Sequence, residues 1–175
     1  MNSNLKKLVT AALFAALACV ATMSIRIPTP GTNGYIHPGD AIVILSGVFL
    51  GPAWGLAAAG IGSAMADLIG GYVWYVPITF VIKGAVAFVA GTIYRKAGRT
   101  PRSRYVCVIC GGIADIIFVA GGYFLCEYVL YGPGAAASVP ANLIQGLSGL
   151  VIGVLLYPVL YKVPEIRRSG REIAG

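Results

Sequence analysis

GYVWYVPITFVIKGAVAFVAG, residues 71–91, reads as an aromatic loop followed from Pro77 by an apolar helix, and its single charge is Lys83. Continued to Tyr94, the helix is long enough to approach the span of a bilayer. Lys83 stands six residues after Pro77, ~9 Å below the start of the helix at the α-helical rise. An ammonium at that depth is costly in hydrocarbon, so it has to face a protein interior and a counter-charge or ligand.

The composition fits that reading. Of 175 residues, 58% are hydrophobic and 11% charged, with a mean hydropathy of +0.82. A soluble domain of this length needs far more polar surface, so the chain is expected to be an all-α integral membrane protein of one domain, residues 1–175. In a soluble protein the net charge of +7 would point to nucleic acid. Here its placement matters more, and no nucleic-acid partner is expected.

Hydropathy and breakers divide the chain into six helices, at about 5–27, 39–50, 53–69, 77–94, 105–130 and 140–161. The second, about 12 residues or ~18 Å, is short against the ~30 Å hydrocarbon core. Gly51–Pro52 turns the chain into the third, with proline at a helix start. Lys6 and Lys7 before an apolar run imitate a secretion signal, but the run continues to Ile27 and everything downstream is equally apolar. A retained first helix is therefore expected. Six helices put both termini on one side. All but two of the 13 basic residues, Arg26 and Lys83, fall there, in Lys6–Lys7, in RKAGRTPRSR (95–104), and at Lys162, Arg167, Arg168 and Arg171. Both termini are then expected to be cytoplasmic. No internal repeat is visible, which argues against a self-sufficient secondary transporter of the inverted-repeat kind.

The polar residues gather in the outer half. Asp67 sits ~6 Å below the outer end of the third helix. Its depth differs from that of Lys83 by ~3 Å across one hairpin, so an Asp67–Lys83 ion pair is expected, with or without ligand contact. Asp40 opens the second helix, where a carboxylate also serves as a cap. Glu127 and Tyr123 lie toward the outer end of the fifth helix. Asn142 and Gln145 begin the sixth, where Asn142 shares a face with Gly146, Gly149 and Gly153 that suits close helix packing. His37, Trp74 and Tyr75 lie in or beside the outer loops as stacking or hydrogen-bonding groups, or as an interfacial belt. Asp115, near the midplane, either bonds a neighbouring helix or floors a pocket. Candidate substrate-binding residues are thus Asp67, Lys83, Asn142, Trp74, Tyr75, Tyr123, Glu127, His37, Asp40 and Gln145.

Enzymatic readings find little support. Cys107 and Cys110 form a C-x-x-C inside an apolar helix with no second pair, so they read as packing residues and no metal site is expected. The chain has one histidine and lacks H-E-x-x-H, G-x-S-x-G and the phosphate-binding G-x-x-x-x-G-K-[ST] loop. No catalytic residue is assigned. A small intramembrane enzyme remains the main alternative from another class, and a small secondary transporter the next. On the first helix, TAALFAALA places Ala11 with Ala15 and Ala12 with Ala16, spacing that lets another helix approach closely.

YIHPGDAIVILSGVFLGPAWGLAAAGIGSAMADLIGGY followed by PITFVIKG resembles the substrate-binding S components of energy-coupling factor (ECF) vitamin transporters. Within them it is similar to the branch of hydroxymethylpyrimidine and pyridoxine carriers. The marks are Gly39–Asp40, Gly51–Pro52, Ala66–Asp67 and Lys83–Gly84, and the match is best over helices one to four. The resemblance implies a micronutrient bound at the outward side, with a transmembrane coupling subunit and two ATPase subunits as partners. It also implies that Ala11, Ala12, Ala15 and Ala16 dock on the coupling subunit. No cofactor is expected in this chain, since ATP is used by the partners. The excess of carboxylates suits a planar, neutral or weakly basic heterocycle, pyridoxine or hydroxymethylpyrimidine, held by Asp67, Lys83 and Asn142 under Trp74. A benzimidazole or its riboside, or a queuosine precursor, is the alternative cargo.

Overall fold

A computed structural model describes residues 3–166. The expected Arg167, Arg168 and Arg171 cluster lies outside the described residues. The order is α1 (Ser3–Ser24), a two-stranded antiparallel ribbon of β1 (Ile27–Pro28) and β2 (Tyr35–Ile36), α2 (Asp40–Ile69), α3 (Tyr75–Ala97), α4 (Pro101–Tyr131), a 3₁₀ segment Gly132–Ser138, and α5 (Val139–Tyr161). Among the described residues, four stretches are long and apolar enough to cross a membrane: Asn4–Ser24, Asp40–Ile69, Tyr75–Ala97 and the continuous Pro101–Tyr161.

The expected second and third helices are two arms of α2. Gly51 breaks the helix at φ 76°, ψ 178°, a conformation that strongly favours glycine, and Pro52 starts the second arm. The chain doubles back there. A Cβ at Gly55 would lie 2.6 Å from the Cα of Gly47, and one at Gly91 of α3 would lie 2.7 Å from the Gly47 carbonyl oxygen. Three backbones thus meet where no side chain fits, and α2 against α3 is the most extensive packing in the molecule. Doubling back brings both ends of α2, and so both Asp40 and Asp67, to one end of the bundle.

Other boundaries shift for local reasons. The basic segment expected as a loop up to 104 becomes helix from Pro101. Thr100 Oγ1 accepts from the Ser103 N–H at 3.1 Å and Ser103 Oγ accepts from the Thr100 N–H at 2.9 Å, a capping box with proline at the first turn. α1 stops at Ser24, because Ile27 and Pro28 pair with Ile36 and Tyr35 instead of continuing the helix.

The loops 25–39, 70–74 and 132–138 meet at one end, hereafter the loop end. α1 begins and α5 finishes at the other, the terminal end. There the core is apolar: Phe14, Ile44, Leu45, Phe49, Leu50, Val86, Val108 and Tyr157 are buried together. A rim of tyrosine and arginine closes it, with Tyr94 and Tyr157 hydroxyls 2.8 Å apart and Arg104 bonded to Tyr161. Around the outside, Leu8, Val20, Val81, Ile117, Leu125, Val129 and Leu155 are exposed, an apolar mantle that suits lipid and not water.

Candidate functional site

Polar side chains converge at the loop end because helical spacing lines them up. Tyr75, Thr79 and Lys83 recur every four residues on α3, Tyr123 and Glu127 do so on α4, and Asn142 and Gln145 share the buried face of α5. They form two layers. The deeper one is centred on Asp40, which is ion-paired with Lys83; both are fully buried. Gln145 Nε2 donates to the other Asp40 oxygen at 2.9 Å, and Gln145 Oε1 accepts from the His37 backbone N–H at 3.0 Å. Gly149 makes room for this: a Cβ there would lie 2.6 Å from that of Asp40.

The expected Asp67–Lys83 pair is therefore not formed. Lys83 takes Asp40, which the doubling back of α2 brings beside α3, and Asp40 caps nothing with its side chain. Asp115 is also fully buried, close enough to Asp40 for the two carboxyls to interact directly and within the electrostatic reach of Lys83, and neither of its oxygens has another partner among the described residues.

The upper layer surrounds a small cavity lined by Thr29, Tyr35, His37, Asp67, Tyr75, Thr79, Tyr123, Glu127 and Asn142. Its volume is about 20 Å³, room for a water or two and too little for an aromatic ring. Tyr35 donates to Asp67 Oδ1 at 2.6 Å, Tyr75 to Glu127 Oε1 at 2.9 Å, and Ser138 to Glu127 Oε2. The Thr79 and Tyr123 hydroxyls bond each other at 2.8 Å. Asp67 Oδ2 is buried with no partner within hydrogen-bond distance among the described residues, and the Thr79 hydroxyl, which bonds Tyr123, is the further donor close to this carboxylate. Burial, reinforced by Asp67, pushes the Tyr35 phenol up, so it remains a donor. His37 is held down to about 4, mainly by burial, with Lys83 and Arg26 acting the same way and Asp40 opposing. Its ring is neutral at physiological pH.

Of the ten expected binding residues, His37, Asp67, Tyr75, Tyr123, Glu127 and Asn142 line the cavity. Asp40, Lys83 and Gln145 lie beneath it as a floor. Trp74 does not join them: it is 77% exposed at the start of α3. Arg26 was not foreseen as part of the site. Its guanidinium lies 5.0 Å from the Tyr35 ring centroid and 5.9 Å from that of Tyr72, and Nη2 donates to the Ala66 carbonyl at 3.2 Å, tying the 25–39 loop to the end of α2. The available signal was its position, as the lone cation in an otherwise uncharged loop. Thr79 was equally legible, one turn before Lys83.

The four alanines of α1 separate into two pairs. Ala11 is buried, and the backbone of Ala15 lies against Gly62 of α2, whereas Ala12 and Ala16 are exposed.

A mostly apolar helical bundle with a polar, ring-lined cavity at one end defines a membrane-embedded small-molecule-binding subunit. The chain belongs to the family of the ECF-type riboflavin transporter, S component, whose model matches residues 2–162. It is 28% identical over 161 residues to the thiamine precursor transporter HmpT of Lactococcus lactis subsp. cremoris (91% of this chain, 90% of that protein). An uncharacterised protein of Pyrococcus woesei is 39% identical over 145 residues (82% and 93%). A solved structure, of the S component of a bacterial ECF transporter, superposes with TM-score 0.66 at 22% identity, covering 90% of this chain and 96% of that one, and shows the shared fold. This is a transporter component for uptake of a vitamin or vitamin precursor, and not an enzyme.

Proposed function

We propose that the chain captures a small planar nitrogen heterocycle, of the hydroxymethylpyrimidine kind, at the loop end, where the cavity of about 20 Å³ has to widen, by movement of the loops that cover it, to admit the ring. The observation that carries this is the lining of the cavity: two carboxylates, Asp67 and Glu127, three tyrosines, an imidazole and an amide, with no cationic side chain among the described lining residues. Of the nearby cations, Lys83 is ion-paired with Asp40, and Arg26 lies over the Tyr35 ring and donates to the Ala66 carbonyl. Such a lining disfavours a folate or phosphate ester and suits a neutral or weakly basic ring, stacked on tyrosine and bonded at its edge. Similarity to a thiamine precursor transporter supports the pyrimidine. Riboflavin, named by the family, is the second reading.

In this reading the bundle crosses a prokaryotic plasma membrane six times, both arms of α2 included. The loop end faces outward, and the termini lie with Arg95, Lys96, Arg99, Arg102 and Arg104 in the cytoplasm. The chain works with a coupling subunit and two ATPase subunits, and Ala12 and Ala16 present the docking face. The test is mass spectrometry of small molecules retained through purification, followed by calorimetric titration with hydroxymethylpyrimidine, pyridoxine, riboflavin and a folate. Saturable binding of hydroxymethylpyrimidine and none of the folate is expected. Retention or tight binding of a polyanion overturns the proposal.

A further inference from the structure

The cavity contains two polar atoms of opposite character whose bonding within the protein leaves them aimed at something else. The first belongs to His37. Gly39 donates its backbone N–H to His37 Nδ1 at 3.1 Å, so Nδ1 carries the lone pair. A neutral imidazole has one N–H, which must then be on Nε2. The Gly39 bond sets the orientation of the ring, whose centroid lies 5.6 Å from that of Tyr35. No group among the described residues takes up Nε2. The second atom is Asp67 Oδ2, on a carboxylate that is 4% exposed and whose other oxygen is occupied by Tyr35. Both groups line the same cavity and flank the same tyrosine.

We infer that His37, fixed as its Nε2–H tautomer, donates to an acceptor atom of the cargo while Asp67 Oδ2 accepts from a donor on it. The pair makes the site selective for heteroaromatic rings that carry a lone-pair ring nitrogen or carbonyl near an amino or hydroxyl group. This rests on the reading of the cavity as the cargo site and adds which atoms of the cargo are read. A ring with hydrogen-bond donors alone leaves Nε2–H facing another donor. A ring with acceptors alone leaves Oδ2 facing a lone pair. Each mismatch strands a buried polar group, which is more costly than a merely missing contact.

The chain has a single histidine, so imidazole ¹⁵N labelling of the full-length protein in nanodiscs reports on His37 alone. At neutral pH, without added ligand, one protonated nitrogen and one lone-pair nitrogen are expected, with the lone pair on Nδ1. A ring protonated on Nδ1, or on both nitrogens, overturns the inference whatever the cargo proves to be. On saturation with hydroxymethylpyrimidine, or with whichever titrated ring binds, the Nε2 resonance should move and Nδ1 should not. An unmoved Nε2 with ligand bound also overturns it. His37→Ala should weaken binding about tenfold, and His37→Gln, which keeps an N–H at a similar reach, should recover part of the loss. Equal losses in the two variants, with the fold intact by circular dichroism, count against the donor role. Failure of hydroxymethylpyrimidine to bind the unaltered protein sinks the cargo proposal and leaves the tautomer result standing.

Discussion

The two ends of the bundle are built on opposite principles. At the terminal end, Phe14, Phe49, Leu50 and Val108 fill the interior, and polarity is confined to a rim of Tyr94, Tyr157, Tyr161 and Arg104. At the loop end, Asp40, Lys83, Glu127, Asn142 and Gln145 are buried among tyrosines. Apolar packing stabilises without conditions, whereas a buried charge stabilises nothing unless its partners are in place. The loop end therefore departs from what stability alone would select, and that departure is what supports the proposal that cargo binds there.

The contrast is broken most severely at its deepest pair. Lys83→Met leaves Asp40 buried without its cation and near Asp115, so a loss of about 3–5 kcal/mol is expected in thermal or denaturant unfolding in detergent. Asp40→Leu with Lys83→Met should recover much of it. A single mutant as stable as the original protein would mean that the pair is not buried as a unit. By contrast, Val86→Ala on the same helix should show only the cost of a cavity in an apolar core.

Acid should also act on the loop end alone. His37 binds no proton in the folded state until about pH 4, whereas an unfolded histidine titrates near 6.5. The unfolded chain thus takes up a proton first as pH falls. Stability from this group is complete above 6.5 and is lost between 6.5 and 4, by about 3 kcal/mol in all. Melting temperatures across that window should decline in the original protein and flatten in His37→Gln. The same decline in both would place the acid sensitivity elsewhere.

Helix α1 repeats the contrast across its width. Ala15→Trp puts a large ring where the α1 backbone packs closely on Gly62 of α2 and is expected to destabilise the isolated subunit by about 1–3 kcal/mol. Ala12→Trp and Ala16→Trp project outward, so folding and cargo binding should persist while transport by the assembled complex fails. Normal transport in both outward variants would remove α1 from the docking surface.

The smallest effect separates two side chains of the same region. Asp67→Asn should weaken cargo binding by about tenfold. Trp74→Ala, at a side chain that is 77% exposed, should change it by less than about twofold in the same calorimetric titration. A large loss in Trp74→Ala would restore that ring to the cargo site.

What the sequence disclosed follows from the range of the interactions involved. The reversal at Gly51–Pro52 and the buried face from Asn142 to Gly153 are local patterns, and both were legible. The partner of Lys83 was not. Rise per residue places groups by depth along a helix but not around the bundle, and Asp40 and Asp67 reach the same end because α2 doubles back. The placement of Trp74 depends on register in a similar way: the helical register of α3 turns Tyr75 and Thr79 inward and leaves Trp74 exposed beside the cavity. The lone-pair state of His37 Nδ1 depends on one backbone N–H two residues away, which sequence periodicity does not reveal.

The burial of Lys83 against Asp40 also bears on how the chain is made. A lone lysine in a nascent span costs ~2.5–3.5 kcal/mol at the helix centre on insertion scales, less toward its ends. Asp40 is synthesised before Lys83, on the helix that packs most extensively against α3. The counter-charge is thus already present when α3 emerges, and the two helices are suited to enter the bilayer together as one hairpin. Gln145 and Gly149 arrive last, on α5, and complete the hydrogen bonding of Asp40. Biogenesis of the binding end therefore finishes only with the final helix, and a chain truncated before α5 would leave Asp40 short of the Gln145 hydrogen bond within the membrane.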